Sequence, residues 1–299
     1  MLLRHSLSLT ISNSQLVFKT LIYALIVFII VAALFVTIST PILEALGEEL
    51  DLAQSADKVI NELFEGEGKI FERVFNAIEN IRTDHRTELI KASIFGAILI
   101  VLVKFFIAWV VCPIAFILNK KMGSNFISGF LHSVVSVGWK RSLAYAAIYT
   151  LISAPFDIAV ALGAYYLAKW MVGGIGLLGL IIPIVFALVM ITLRMSVMGQ
   201  WISHLVNEEI KFSLIFKRAF KAGFKMLPKT FTHMLSLNLI IYAIMASTAL
   251  FTVGIIPILM IPFALVVSVA LHLVAYYREN DKKYYVDEHI VEVPQNINE

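Results

Sequence analysis

The chain has 299 residues, 60% of them hydrophobic and only 15% charged, with mean hydropathy +0.86; soluble domains run about 45–50% apolar and roughly 25% charged. This composition excludes an ordinary soluble domain and predicts an all-α integral membrane protein. The net charge of +3 is too small to argue for a nucleic-acid partner, and the single cysteine, Cys112, cannot form an intramolecular disulfide.

Residues 16–38 are the first of six stretches long and apolar enough to span a bilayer; the others are 90–118, 138–168, 172–200, 231–252 and 254–277. The first run is longer than the roughly 7–15 residues of a signal-peptide core. No small-x-small cleavage site follows "FVTISTP", so the run is read as a retained span. The second, third and fourth stretches exceed the minimum length, which predicts tilt or protrusion into water.

An acidic insertion, 41–89, separates the first two spans. Residues 41–91 carry twelve acidic and six basic side chains, a net −6 that leaves +9 on the rest of the chain. Apolar residues recur at near-helical spacing over 43–64 and again over 69–82, with "EGEG" at 65–68 between them, so two amphipathic helices with a glycine hinge are expected. They form either a capping helical hairpin or a surface that binds a protein partner or a second copy.

The remaining charges give the orientation. Arg4 and Lys19, then Lys120, Lys121, Lys140 and Arg141, then the lysines and arginine of 211–229, then Arg278, Lys282 and Lys283 all fall on one side of the six spans. The opposite side holds the acidic insertion and, in its turns, Lys169. Basic loops stay on the cytoplasmic side. Both termini, including the tail 279–299, are therefore predicted to be cytoplasmic, in a bacterial-type inner membrane.

Four ionisable residues lie within the spans. Lys104 is about 21 Å below the outer end of its run and Asp157 about 16 Å below its own, counting 1.5 Å per residue. They are close enough in depth to pair; the alternative is that Lys104 snorkels and Asp157 sits near the outer interface. An intramembrane charge is costly and usually faces protein or water. Arg194 and His272 occupy matching places near the cytoplasmic ends of the fourth and sixth spans. Snorkelling accounts for Arg194, and His272 reads as a hydrogen-bonded helix residue.

Residues 207–227 alternate aromatic and basic side chains. On a helix, Lys211, Arg218 and Lys225 share one face, flanked by Lys217 and Lys221, while Ile215, Phe216, Ala219 and Phe220 lie on the other side. Pro228 is expected to break this helix before the fifth span. A basic, aromatic-rich amphipathic helix beside a span lies in the interface with its cations toward anionic headgroups. It anchors the adjoining hairpin, recognises anionic lipid or docks a cytoplasmic protein.

"FISGFLHSVVSVGWKRSLAYAAIY" (126–149) and "KFSLIFKRAFKAGFKMLPKTFTHM" (211–234) place Gly138-Trp139-Lys140 on Gly223-Phe224-Lys225. Further on, "LIIPIVFALV" (180–189) matches "LMIPFALVVS" (259–268). With polar "SLTISNSQ" ahead of the first span, the chain reads as three tandem units, each a short interfacial helix followed by a hairpin of spans. On the "GFK" that ends the basic helix and the Ile-Pro of the returning span, the last two units resemble uncharacterised six-span bacterial membrane proteins, those with DUF975-like domains and the membrane domain of some glycerophosphodiester phosphodiesterases. The resemblance implies a topology and no chemistry.

The chain contains no glycine-rich phosphate loop, no H-E-x-x-H and no G-x-S-x-G. Its seven histidines are scattered without metal-ligand spacing. No cofactor, metal site or catalytic residue is expected. The expected function is non-enzymatic binding of membrane lipids, anionic ones above all, or of a protein partner. The alternative is a transporter or channel for a small solute, with the intramembrane charges lining its path. Two-span units in one orientation differ from the inverted repeats common in transporters.

Overall fold

The computed structural model describes residues 1–50, 86–126, 129–137, 139–208, 212–249, 255–286 and 290–292. The hinge at 65–68, the second acidic helix, Gly138 and Lys211 lie outside the described residues.

The described chain is almost wholly helical: α1 (Leu2–Ile11), α2 (Ser14–Leu50), α3 (Arg86–Ser124), α4 (Phe130–Val137), α5 (Trp139–Ile175), α6 (Ile181–Met198), α7 (Gln200–Asn207), α8 (Phe212–Ala249) and α9 (Ile255–Glu279). A short antiparallel ladder, β1 (Tyr284–Tyr285) with β2 (Val291–Glu292), follows α9. Six helical stretches are long and apolar enough to cross a membrane, and the protein is an all-α integral membrane protein. Helices satisfy every backbone donor and acceptor within the segment, as a span through hydrocarbon requires. α5 and α6 are joined by a 3₁₀ turn, Gly176–Leu180, where Gly176 takes φ 63°, a left-handed conformation that glycine adopts without steric cost.

Several boundaries differ from the sequence expectation. α2 does not stop at the end of the apolar run but continues past Pro41 to Leu50, so the acidic insertion begins as an extension of the first span. A proline disfavours helix in the residue before it, but the register carries through when flanking hydrogen bonds hold. Pro228 does not break the chain either: it lies inside α8, a single helix of 38 residues. A helix-interior proline removes one backbone bond, and neighbouring packing sustains the helix in a membrane protein. Pro113, Pro155 and Pro262 are likewise inside helices. The basic segment 207–227 is therefore no separate interfacial helix. At 1.5 Å per residue α8 is about 57 Å long, against a hydrocarbon thickness of about 30 Å. Counting back about 20 residues from Ala249 puts the hydrocarbon part at 230–249, and 212–229 projects beyond it.

The chain forms two compact units. One comprises residues 1–26, 105–151 and 191–299, and its centre is α9. Residues 266–277 are all buried, on every side of the helix. The most apolar window of α9 is 61% buried, against 17–28% for the other five spans, which makes α9 the most enclosed of the six. A helix apolar all round is a buried one. α1, α7 and α8 each pack on α9. Tyr277 donates to Asn119 Oδ1 of α3 at 3.0 Å, and Asn119 in turn donates to the Val206 carbonyl of α7 at 3.4 Å.

The other unit comprises 27–104 and 152–190. Ser153, Ala154, Val160 and Val172 of α5 are buried within it. Gly163 comes so close to Phe186 of α6 that a Cβ would stand 3.3 Å from the ring. Phe28, Ile29, Ile98, Leu162 and Ile184 point outward, an apolar exterior suited to lipid.

The order short helix, long helix, long helix occurs in α1–α2–α3 and again in α4–α5–α6. In the last set the short helix is fused to its span as α8, followed by α9. Gly223, at the fusion, lies against the Val197 carbonyl of α6, where any Cβ would overlap it. Gly223→Ala is therefore expected to lower stability by about 1–3 kcal/mol, the usual cost of overpacking. Gly96 has no atom within 4 Å of a built Cβ, so Gly96→Ala should raise stability by about 0.5–1 kcal/mol. Thermal unfolding in detergent checks both signs.

Candidate functional site

Three features carry the polar chemistry of the described residues: the projecting half of α8, a set of buried polar pairs, and a cavity beside the end of α9.

α8 presents three faces along its first half. Ile215, Ala219, Gly223, Met226 and Thr230 are buried against the protein. Lys217, Arg218, Lys221 and Lys225 are exposed. Phe220, expected on the apolar side with Ile215 and Ala219, is exposed at 49%, and Phe224 is exposed at 54%. The aromatic residues thus form a strip between the buried face and the basic one, a helix shaped to meet protein, acyl chain and headgroup at once. Two cations are tethered: Arg218 lies 3.5 Å from Glu208, and Lys225 Nζ lies 2.6 Å from Glu279. Lys211, the fifth predicted member of the basic face, is outside the described residues.

Lys104 of α3 and Asp157 of α5 form an ion pair, the arrangement their depths suggest. Their side chains retain 16% and 20% of their exposure. Ser153, one turn before Asp157, is buried and accepts from Lys104 Nζ at 3.5 Å. An ion pair with a hydroxyl partner reduces the cost of holding a charge in hydrocarbon.

Arg194 does more than extend toward an interface. Its Nη1 donates to the Tyr149 hydroxyl at 2.7 Å, and its guanidinium stands 5.8 Å from the Tyr149 ring centre. His272 is almost fully buried, with Nδ1 3.4 Å from Gln200 Nε2, and its ring occupies the space a side chain at Gly199 would need. Lys104 and Asp157 belong to one unit and Arg194 and His272 to the other.

α7 is a feature that hydropathy hides. Gln200, Ser203 and His204 are buried, and His204 Nδ1 is 2.6 Å from Glu208 Oε1. Trp201 packs edge-on against Phe216 of α8 at 4.8 Å. The signal was present: Gln200, Ser203, His204 and Asn207 recur at helical spacing just after Gly199, where the preceding span was expected to end.

The tail also departs from expectation. The end of α9 turns through Asp281, at φ 48°, and the β-ladder returns Tyr284 into the core at 1% exposure. The Tyr284 hydroxyl is 2.8 Å from His5 Nδ1 of α1. Burial, against the weaker pull of Glu292, lowers the His5 pKa from its ordinary value, and burial raises the Tyr284 hydroxyl to about 12. Residues 1–11 and 284–286 thus close over one end of α9.

A cavity of about 860 Å³ opens beside this closure, lined on one side by Pro228, Lys229 and His233 of α8. Arg278, Asp281 and Glu292 line the other side. Among the described residues no three His, Cys, Asp or Glu side chains gather to hold a metal ion.

No family model, curated protein or solved structure matches the chain. Its chemistry rests on the geometry just described.

The ion pair gives a direct test. Breaking a buried pair by removing one partner typically costs about 3–5 kcal/mol, whereas replacing both by apolar residues can be nearly neutral. Lys104→Met alone should therefore destabilise more than Lys104→Met combined with Asp157→Leu, measured by thermal unfolding in detergent. Single variants as stable as the parent would mean the two charges do not meet.

Proposed function

We propose that the protein is a non-enzymatic membrane protein that binds anionic lipid headgroups on the cytoplasmic leaflet through the projecting half of α8. The observation that carries this reading is the exposed set Lys217, Arg218, Lys221 and Lys225 beside exposed Phe220 and Phe224 on a helix whose opposite face is buried. Basic residues near a membrane surface attract anionic lipid, and phenylalanines of a basic amphipathic helix bury at the boundary between headgroups and acyl chains. Anchoring alone would need the apolar strip but not four exposed cations. The proposal includes the orientation: basic ends of the spans in the cytoplasm, acidic insertion outside, in a bacterial-type inner membrane. It also includes an accessory or organising role. The acidic insertion remains the candidate surface for a protein partner, and the likeness to six-span bacterial membrane proteins is consistent with this topology.

A transporter is the second reading, and the Lys104–Asp157 ion pair is the observation that favours it. The cavity of about 860 Å³ is lined by neither residue, so the pair is assigned a structural role first.

Replacing Lys217, Arg218, Lys221 and Lys225 together by Gln should reduce severalfold the phosphatidylglycerol retained by the purified protein, counted by native mass spectrometry. The folded yield should be unchanged, because these side chains are exposed. Unaltered retention would remove the lipid-binding role from α8.

A further inference from the structure

We propose that the cavity between α8 and the end of α9 binds the phosphoethanolamine group of a zwitterionic lipid, a headgroup of different charge from those drawn to the basic face of α8.

Depth comes first. The hydrocarbon part of α8 begins at about Thr230 when roughly 20 residues are counted back from its end, which puts Pro228 and Lys229 just outside it. The last candidate span runs Ile258–Glu279, so Arg278 ends the neighbouring helix at the same boundary. Both lines of residues belong to one unit, and both line the cavity. It therefore lies at headgroup level. Its volume, about 860 Å³, falls in the ordinary range of ligand sites, about 300–1,000 Å³.

Charge comes second. The lining supplies the cations Lys229 and Arg278, the amino group of Met1, and the carboxylates Asp281, Glu292 and Glu279. Glu279 is engaged by Lys225. Among the described residues, Lys229, Arg278, Asp281 and Glu292 form no salt bridge. Cations and carboxylates thus face one space without a salt bridge between them among the described residues, which matches a ligand carrying both signs. Arg and Lys suit a phosphodiester. The carboxylates suit an ammonium with hydrogens to donate, since each ionised carboxylate is an acceptor only. A quaternary choline ammonium has no such hydrogens and is instead held by an aromatic cage. The one aromatic ring of the lining besides His233 is Tyr284, buried and directed to His5. Leu2, Met226 and Ala275 complete an apolar wall for the glycerol and first acyl carbons. A purely anionic headgroup would meet Asp281 and Glu292 with nothing to offer them.

This inference rests on the membrane-spanning fold and not on the basic face of α8, so the two can fail separately. The full-length protein would be reconstituted in nanodiscs of phosphatidylglycerol with an equal share of phosphatidylethanolamine or phosphatidylcholine. Lipids retained on extraction into mild detergent are then counted by native mass spectrometry. Phosphatidylethanolamine should be retained about tenfold over phosphatidylcholine, a difference of about 1.4 kcal/mol. Arg278→Gln and Glu292→Gln should each abolish that preference, and Arg278→Lys should keep part of it. The quadruple Gln variant of the α8 basic face should retain it in full. Excess glycerophosphoethanolamine separates the two sources of the group. Displacement of the retained lipid makes the soluble headgroup a ligand in its own right, and resistance to displacement makes the lipid the ligand. Equal retention of both lipids by the parent, or a preference unchanged in Arg278→Gln and Glu292→Gln, overturns the assignment.

Discussion

Van der Waals packing around α9 is the interaction on which the larger unit depends. In a bilayer the hydrophobic effect does not drive one helix onto another, because acyl chains are as apolar as leucine. What remains is close contact and interhelical hydrogen bonding. α9 supplies the contact with small and branched residues buried on every side, from Val266 to Ala275. Glycines let two further approaches close: Gly199 admits the His272 ring, and Gly223 admits the Val197 carbonyl. A helix so enclosed fixes α1, α7 and α8 around it, and the exposed faces of those helices become the surfaces open to lipid and water.

The same constraint explains where the polar groups are. Hydroxyls in the spans mostly return to their own helix, as Thr20 does to Leu16 and Ser196 to Thr192. Among the described residues, other polar side chains cross between helices. Asn238 donates to Thr192 at 2.9 Å, joining α8 to α6, and Gln200 meets His272. Arg194 lies beside an aromatic ring and a hydroxyl. These pairs read as structural glue. The ion pair of Lys104 and Asp157 belongs with them: each charge makes the other tolerable. The charges turned away from the packing are the basic face of α8, where Lys217 and Lys221 form no salt bridge among the described residues, and the mixed charges of the cavity beside α9, and both lie toward helix ends beyond the hydrocarbon stretch. That division assigns packing to the span interiors and recognition to their ends.

Hydropathy made the spans legible because a helix through hydrocarbon needs a long apolar run and little else. Depth counting was enough to suggest that Lys104 could reach Asp157, since rise per residue is nearly constant. The proline boundaries were not legible. At Pro41 and Pro228 a local rule predicts a break, yet one continuous helix runs through each. α7 was hidden because its buried polar residues lower the hydropathy that marks a span. The tail was hidden for a different reason. Tyr284 is one aromatic in a charged segment, and only the turn at Asp281 and the partner His5, at the far end of the chain, show that it belongs to the core. The candidate cavity shares that origin: its lining comes from α8, the end of α9 and the β-ladder, which no sequence window contains together.

The account stands on one placement, that the ends of α8 and α9 bearing Lys221 and Arg278 face the cytoplasm while the turn between α5 and α6 faces outward. Cysteine introduced at Lys221 or at Leu178, both exposed, and probed with a membrane-impermeant thiol reagent tests it on intact cells. The native Cys112 is buried and contributes a low background. Labelling at position 178 and protection at 221, reversed only when the membrane is opened, is the predicted result. Labelling at 221 with protection at 178 would turn the molecule over and remove the basis for cytoplasmic-leaflet recognition by either site.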